Sequence, residues 1–192
     1  MKNLCRLLFA VVFGLGLTTC TGEPAPIANS EIPASKIADA FQQRLQSELM
    51  AAMKTGGAIR AIGVCQQAAP AIAAALSEEH AVLVRRVSHK PRNPGAAIDG
   101  RVVQEMSILA RTPFDGSGNP SVREWTDKDG DGGTHWLRAI PMKKEPCTAC
   151  HGTNIAPEVQ AKLAELYPND QATGFKPGEL RGAILISSRT MR

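Results

Sequence analysis

The chain has 192 residues, of which 43% are hydrophobic and 4% aromatic, and 22 Lys and Arg against 18 Asp and Glu give a formal net charge of +4. This length suits one compact domain. Aromatic residues are few and no block of like charge stands out, so the composition excludes a nucleic-acid-binding protein.

Residues 1–20 predict an export signal. Lys2 and Arg6 supply a basic start, and an apolar run of about eleven residues follows at 7–17. Such a run is too short to span a bilayer comfortably and is typical of a signal peptide. A short membrane anchor is the alternative interpretation of the same run.

The end of this signal predicts a lipid anchor. Leu17-Thr18-Thr19-Cys20 resembles the lipobox of bacterial lipoproteins, in which the cysteine is lipidated and becomes the mature N-terminus. Residues 21–34 are rich in Pro, Ser, Glu and Ala, which predicts a flexible tether to a domain at 35–192. We therefore expect membrane contact only through Cys20, on the periplasmic side and at the outer membrane. Ordinary signal cleavage is the alternative.

Apolar periodicity and turn residues predict the elements of the domain. Ser35 is predicted to cap a first helix, whose apolar spacing stops at Gly56-Gly57. Helical spacing resumes from about 58 to 76, where Pro70 predicts a kink or a break near 65–69. The further predicted elements are a strand at 82–87, a helix at 99–111, a hairpin at 124–142, a helix at 157–166 and a strand at 182–187. Helices combined with a few antiparallel strands predict an α+β fold.

The five cysteines have distinct expected fates. Cys5 leaves with the signal, and Cys20 is used by the lipid anchor. Cys147 and Cys150 form a close pair, which leaves Cys65 without a disulfide partner. The helical pattern places Cys65 on a buried face, where a free cysteine often serves only as a small hydrophobic residue.

Cys147-Thr148-Ala149-Cys150-His151 has the C-x-x-C-H spacing of c-type haem attachment. The two thiols add across the porphyrin vinyl groups as thioethers, and the histidine gives an imidazole nitrogen to the iron. A zinc site would need a second pair of ligands at finger or ribbon spacing. A thioredoxin-like redox pair would need a βαβ unit, which the predicted elements do not contain. The motif therefore predicts one covalent haem c, held through Cys147, Cys150 and His151.

Sequence spacing alone does not identify the sixth iron ligand. The candidates are Cys65, His89, His135, Met106 and Met142. A methionine ligand would give a high-potential electron-transfer cytochrome. Met142 lies close to Cys147 in sequence, and Met106 is also explained as a core residue of its helix.

Four separated motifs resemble one known family, the PAS-like c-type-haem-binding domains that also occur as extracytoplasmic sensor parts of histidine kinases. The matching segments are 64–73, 84–94, 146–152 and 167–175 followed by 182–184, and they cover about residues 36–188. The resemblance implies His/Cys ligation, which falls on His151 and Cys65. It also implies a central antiparallel sheet flanked by helices.

These observations predict an extracytoplasmic haem protein that senses redox state or a diatomic gas and is not an enzyme. A thiolate ligand stabilises Fe(III), so a low reduction potential is expected, and an Fe–Cys65 bond that breaks on reduction would open a site for NO or CO. A low-potential electron-transfer cytochrome, with a redox partner protein, is the alternative. A haem-dependent peroxidase is a third hypothesis, for which no distal base is visible.

Overall fold

The computed structural model describes residues 33–127 and 133–188. The predicted signal peptide, Cys20 and nearly all of the predicted tether lie outside these residues. The elements in chain order are α1 (Ala34–Glu79), β1 (Val82–Val87), a 3-10 turn (Pro94–Ala96), α2 (Gly100–Arg111), β2 (Val122–Thr126), β3 (Thr134–Pro141), α3 (Thr148–His151), α4 (Pro157–Leu166) and β4 (Leu180–Ser188).

The helix α1 is a helical hairpin. Its backbone leaves helical geometry only at Gly56 and at Gly57, which has φ +62°. The Arg44 guanidinium lies 3.1 Å from the Glu79 carboxylate, and a straight helix would hold these residues roughly 50 Å apart. The chain therefore reverses at the two glycines, where the sequence predicts the end of the first helix, and the two halves of α1 lie side by side.

Two details of α1 differ from expectation. The N-cap position is Pro33 and no side chain caps the helix, so Ser35 is not a cap. The dihedral angles remain helical around Pro70, so the break expected near 65–69 is absent. Proline removes one backbone hydrogen bond, and packing of Ile62 and Leu76 on either side holds the helix continuous.

The four strands form one antiparallel sheet in the order β1-β4-β3-β2. One face packs against both halves of α1 through a cluster that includes Phe41, Leu76, Val84 and Ile184. The other face packs against α2 through a cluster that includes Met106, Leu109, Val87, Leu137 and Leu185. Helices thus cover both faces of the sheet, and the predicted α+β class is confirmed.

By length and composition alone, α1 is long and apolar enough to cross a membrane. In the structure it folds back on itself, and parts of it pack on the sheet or line a cavity. Within the domain, 28% of its most apolar stretch is buried.

Candidate functional site

The Cys147–His151 motif forms a single tight turn of helix. The His151 amide donates to the Cys147 carbonyl oxygen at 3.0 Å, and the Gly152 amide donates to the Thr148 carbonyl oxygen at 3.0 Å. A Cβ atom at Gly152 would lie 2.6 Å from that carbonyl oxygen. Only glycine therefore fits after the histidine in this turn.

Hydrogen bonding fixes the tautomer of His151. Its Nδ1 lies 2.7 Å from the Ala172 carbonyl oxygen, so Nδ1 carries the hydrogen and donates. Arg181 Nε lies 3.2 Å from the same nitrogen and acts there as a nearby positive charge. Burial lowers the pKa of His151 well below its usual value, and the charges of Arg181 and Arg92 lower it further. The ring is therefore neutral at pH 7, with an Nε2 lone pair available for a metal.

Arg92 connects the Cys147–His151 motif to the loop that follows α4. Its guanidinium lies 3.0 Å from the Asp170 carboxylate, and it donates to the Cys150 carbonyl oxygen at 2.6 Å and to the Ala172 carbonyl oxygen at 3.3 Å. Asp170 in turn accepts from the Ala172 amide at 2.7 Å. This arrangement positions the carbonyl that orients His151.

Cys65 and His151 line the same cavity, which has a volume of about 440 Å³. The second half of α1 contributes a wall of small side chains, which are Cys65, Ala69, Pro70, Ala73 and Ala74. Cys65 is half-buried and does not lie in the packed core that its helical spacing predicts, because this part of α1 faces the cavity. A larger groove of about 900 Å³ beside the first half of α1 contains none of the motif residues.

Cys147 and Cys150 are half-buried free thiols at either end of the turn. Cys147 packs against Met142, Ala172 and Phe175. Cys150 packs against a second cluster, formed by Ile62, Ile155, Val159, Leu163 and Tyr167. Burial raises the pKa of the Cys150 thiol. Neither cysteine lines the cavity that Cys65 shares with His151, although both belong to the turn that carries His151.

The other candidate ligands lie elsewhere. His135 binds the Ser187 hydroxyl and the Asp127 carboxylate, each at 2.8 Å. Met106 lies on α2 and is fully buried between this helix and the sheet. Met142 belongs to the cluster around Cys147, and His89 is exposed. None of these four residues lines the cavity that Cys65 shares with His151.

The arginines of the cavity are the functional residues that sequence reasoning missed. Arg85, Arg86, Arg92 and Arg181 all line it. Arg181 is 6% exposed, and burial lowers its pKa well below the usual value. A charged residue within an otherwise apolar predicted strand, as at Arg85 and Arg86, is the signal that could have found two of them.

The chain resembles known proteins along most of its length. A family model described as Tll0287-like matches residues 27–189. No curated protein matches the chain. The crystal structure of the cyanobacterial heme-protein Tll0287 superposes with a TM-score of 0.56 at 24% identity, covering 82% of this chain and 91% of that one. This structural likeness supports the fold, and the extent of the family match shows that the chain belongs to the Tll0287-like family.

Proposed function

We propose that this chain binds one haem c through Cys147, Cys150 and His151, with Cys65 as the sixth iron ligand, and that it senses redox state or a diatomic gas outside the cytoplasm. The observation that carries the proposal is that Cys65 and His151 line one cavity. A haem-protein among the similar structures supports the same cofactor.

The chemistry of the cavity fits a haem. Small side chains along α1 leave room for a flat ring beside the helix. The Nδ1–H bond to Ala172 leaves Nε2 of His151 free for iron. Four arginines provide positive charge for the two propionates of a haem, and only Arg92 among them is already paired with a carboxylate.

The proposed switch is the bond to Cys65. A bound haem supplies an iron that changes charge by one unit between its ferric and ferrous states. The ferric ion favours the thiolate form of Cys65, whereas the ferrous ion holds it less tightly. Release of Cys65 on reduction would open a coordination position for NO or CO. In this proposal the output is a change of conformation read by a partner protein, and the chain catalyses no reaction.

Spectroscopy of the purified full-length protein tests this function. The denatured chain should retain its haem and give a pyridine haemochrome spectrum of the two-thioether type. The ferric spectrum should be low-spin, and CO should bind only after reduction. Haem that acidified organic solvent extracts would contradict covalent attachment. A ferrous protein that stays six-coordinate and does not bind CO would favour the electron-transfer alternative.

A further inference from the structure

Arg86 is a cavity cation without a counterion. It lies on β1, lines the cavity with Cys65 and His151, and is half-buried. Among residues 33–127 and 133–188, its side chain makes no hydrogen bond and no ion pair. Glu78 also lines the cavity, but it is exposed and not paired with Arg86. Removing a guanidinium from water without an anionic partner is costly.

The neighbouring arginines are committed elsewhere. Arg92 is paired with Asp170 at 3.0 Å. Arg181 donates to the Ser88 hydroxyl at 3.1 Å and lies at the Nδ1 edge of His151, behind the nitrogen that would bind iron. Arg86 is therefore the arginine whose guanidinium is left for a ligand in the cavity.

Strand alternation places Arg86 on the side of the sheet that faces α1. Val82 and Val84 pack with α1, whereas Val87 packs with α2. Because side chains alternate along a strand, Arg86 shares the face of Val84. Arg85 belongs to the opposite face and also lines the cavity, but its guanidinium already donates to the Ala97 carbonyl oxygen at 3.4 Å.

We propose that Arg86 binds a carboxylate of the cavity ligand, which is a haem propionate if the proposed function is correct. A guanidinium matches a carboxylate with two parallel hydrogen bonds, and a partly desolvated pair of this kind is strong. The pair supplies the anion that the half-buried cation lacks.

The test compares holoproteins of wild type, Arg86→Gln, Arg86→Lys and Arg111→Gln. The reduction potential of each is measured between pH 5 and pH 8, with redox-difference infrared spectra at the two limits. The guanidinium should keep the carboxylate ionised, so the wild-type spectrum shows no protonated-carboxyl C=O band. In Arg86→Gln the pKa of that carboxylate should rise by about one unit or more. The band should then appear at pH 5, and the potential should fall as the pH rises.

Arg86→Lys keeps the positive charge and should resemble wild type. Arg111→Gln removes an equal charge from the exposed end of α2, outside the cavity, and should leave the profile unchanged. The proposal is overturned if Arg86→Gln matches wild type, or if Arg111→Gln produces the same change. It is also overturned if wild type already shows the protonated band at pH 5, a measurement that needs no variant to fold. Failure of the proposed function is separate, because wild type would then carry no covalent haem.

Discussion

Cys65 lies at the cavity wall, and this placement favours the role of an iron ligand over that of a core packing residue. A buried cysteine that serves only as a small hydrophobe would lie within one of the apolar clusters. Cys65 belongs to none of the four clusters of buried side chains in the described residues, and it lines the same cavity as His151. Its role can therefore be tested by changing its chemistry with little change in its volume.

We predict that Cys65→Ser converts the low-spin ferric spectrum to a high-spin one or brings in a replacement ligand. The loss of a negative ligand should raise the reduction potential by more than about 59 mV, which is about 1.4 kcal/mol for a one-electron couple. Optical spectra and spectroelectrochemistry measure both effects. Ala74→Ser, which adds a hydroxyl to the same wall, is the control. An unchanged spectrum and an unchanged potential would show that Cys65 is only a packing residue.

At the residue scale, local spacing was enough to single out Cys147, Cys150 and His151. It did not place Ala172 or Arg181 beside the histidine, because both contacts depend on loops that meet only in the folded chain. The assignment of Cys65 needed the family resemblance as well, since spacing alone left five candidate ligands open.

The turn α3 depends on glycine at position 152. We predict that Gly152→Ala lowers both the yield of covalently attached haem and the stability of the domain, by about 1–3 kcal/mol in the free energy of unfolding. The reason is the 2.6 Å approach of an added Cβ to the Thr148 carbonyl oxygen, which would push the turn apart. Haem content per chain and urea unfolding measure the two effects.

Gly95→Ala is the matched control for this variant. Gly95 also lines the cavity, but an added Cβ there would meet nothing closer than the Asn93 side chain at 3.5 Å. Equal loss of haem in both variants would mean that the defect does not arise from crowding at Gly152.

The helix α2 is joined to β2 by a buried carboxylate. Glu105 is 1% exposed and lies 2.7 Å from both Arg101 and Arg123. Burial alone would raise the pKa of Glu105, but hydrogen bonds and charge from Arg123 and Arg101 outweigh it and lower the pKa below the usual 4.5. This carboxylate therefore contributes stability above its unfolded pKa, and that contribution is lost as the pH falls through the lower folded value.

We predict that Glu105→Gln lowers the free energy of unfolding by about 2 kcal/mol at pH 7, because it leaves two arginines without their shared partner. The difference from wild type should shrink as the pH falls below the lowered pKa of the native carboxylate, which then also becomes protonated. Urea unfolding at several pH values measures this. Glu124→Gln changes an exposed residue on β2 and should have little effect. A constant difference at every pH would show that charge is not the cause.

At the element scale, periodicity predicted the helices and strands, and the Gly56-Gly57 pair predicted the end of the first helix, where the structure shows a reversal within α1. The continuity of α1 through Pro70 was not predictable, because it depends on tertiary packing that outweighs one missing hydrogen bond. The cavity also could not be predicted from the sequence. It forms where the second half of α1, β1 and the segment around His151 converge.

At the scale of the whole molecule, charge within the domain is unevenly placed. The net charge of the chain is only +4, yet four arginines line one cavity of about 440 Å³ and a single carboxylate, Asp170, is paired with one of them. Composition could not reveal this concentration, since strands and loops distant in sequence supply it. A ligand with two negative charges would restore the local balance, which is consistent with the proposed haem.

The arrangement of the whole molecule on a membrane depends on Cys20, which lies outside the described residues. The family match begins at residue 27 and α1 begins at Ala34, so a lipidated Cys20 would be separated from the domain by only a short tether. We predict that the mature N-terminus is an acylated cysteine and that Cys20→Ser moves the haem domain into the soluble fraction, because buried acyl chains supply the membrane affinity. Mass spectrometry of the N-terminus and membrane fractionation test both points. Cys5→Ser, which changes a cysteine of the predicted signal, should leave the lipid in place, and a wild-type protein that is soluble or begins at another residue would contradict the anchor.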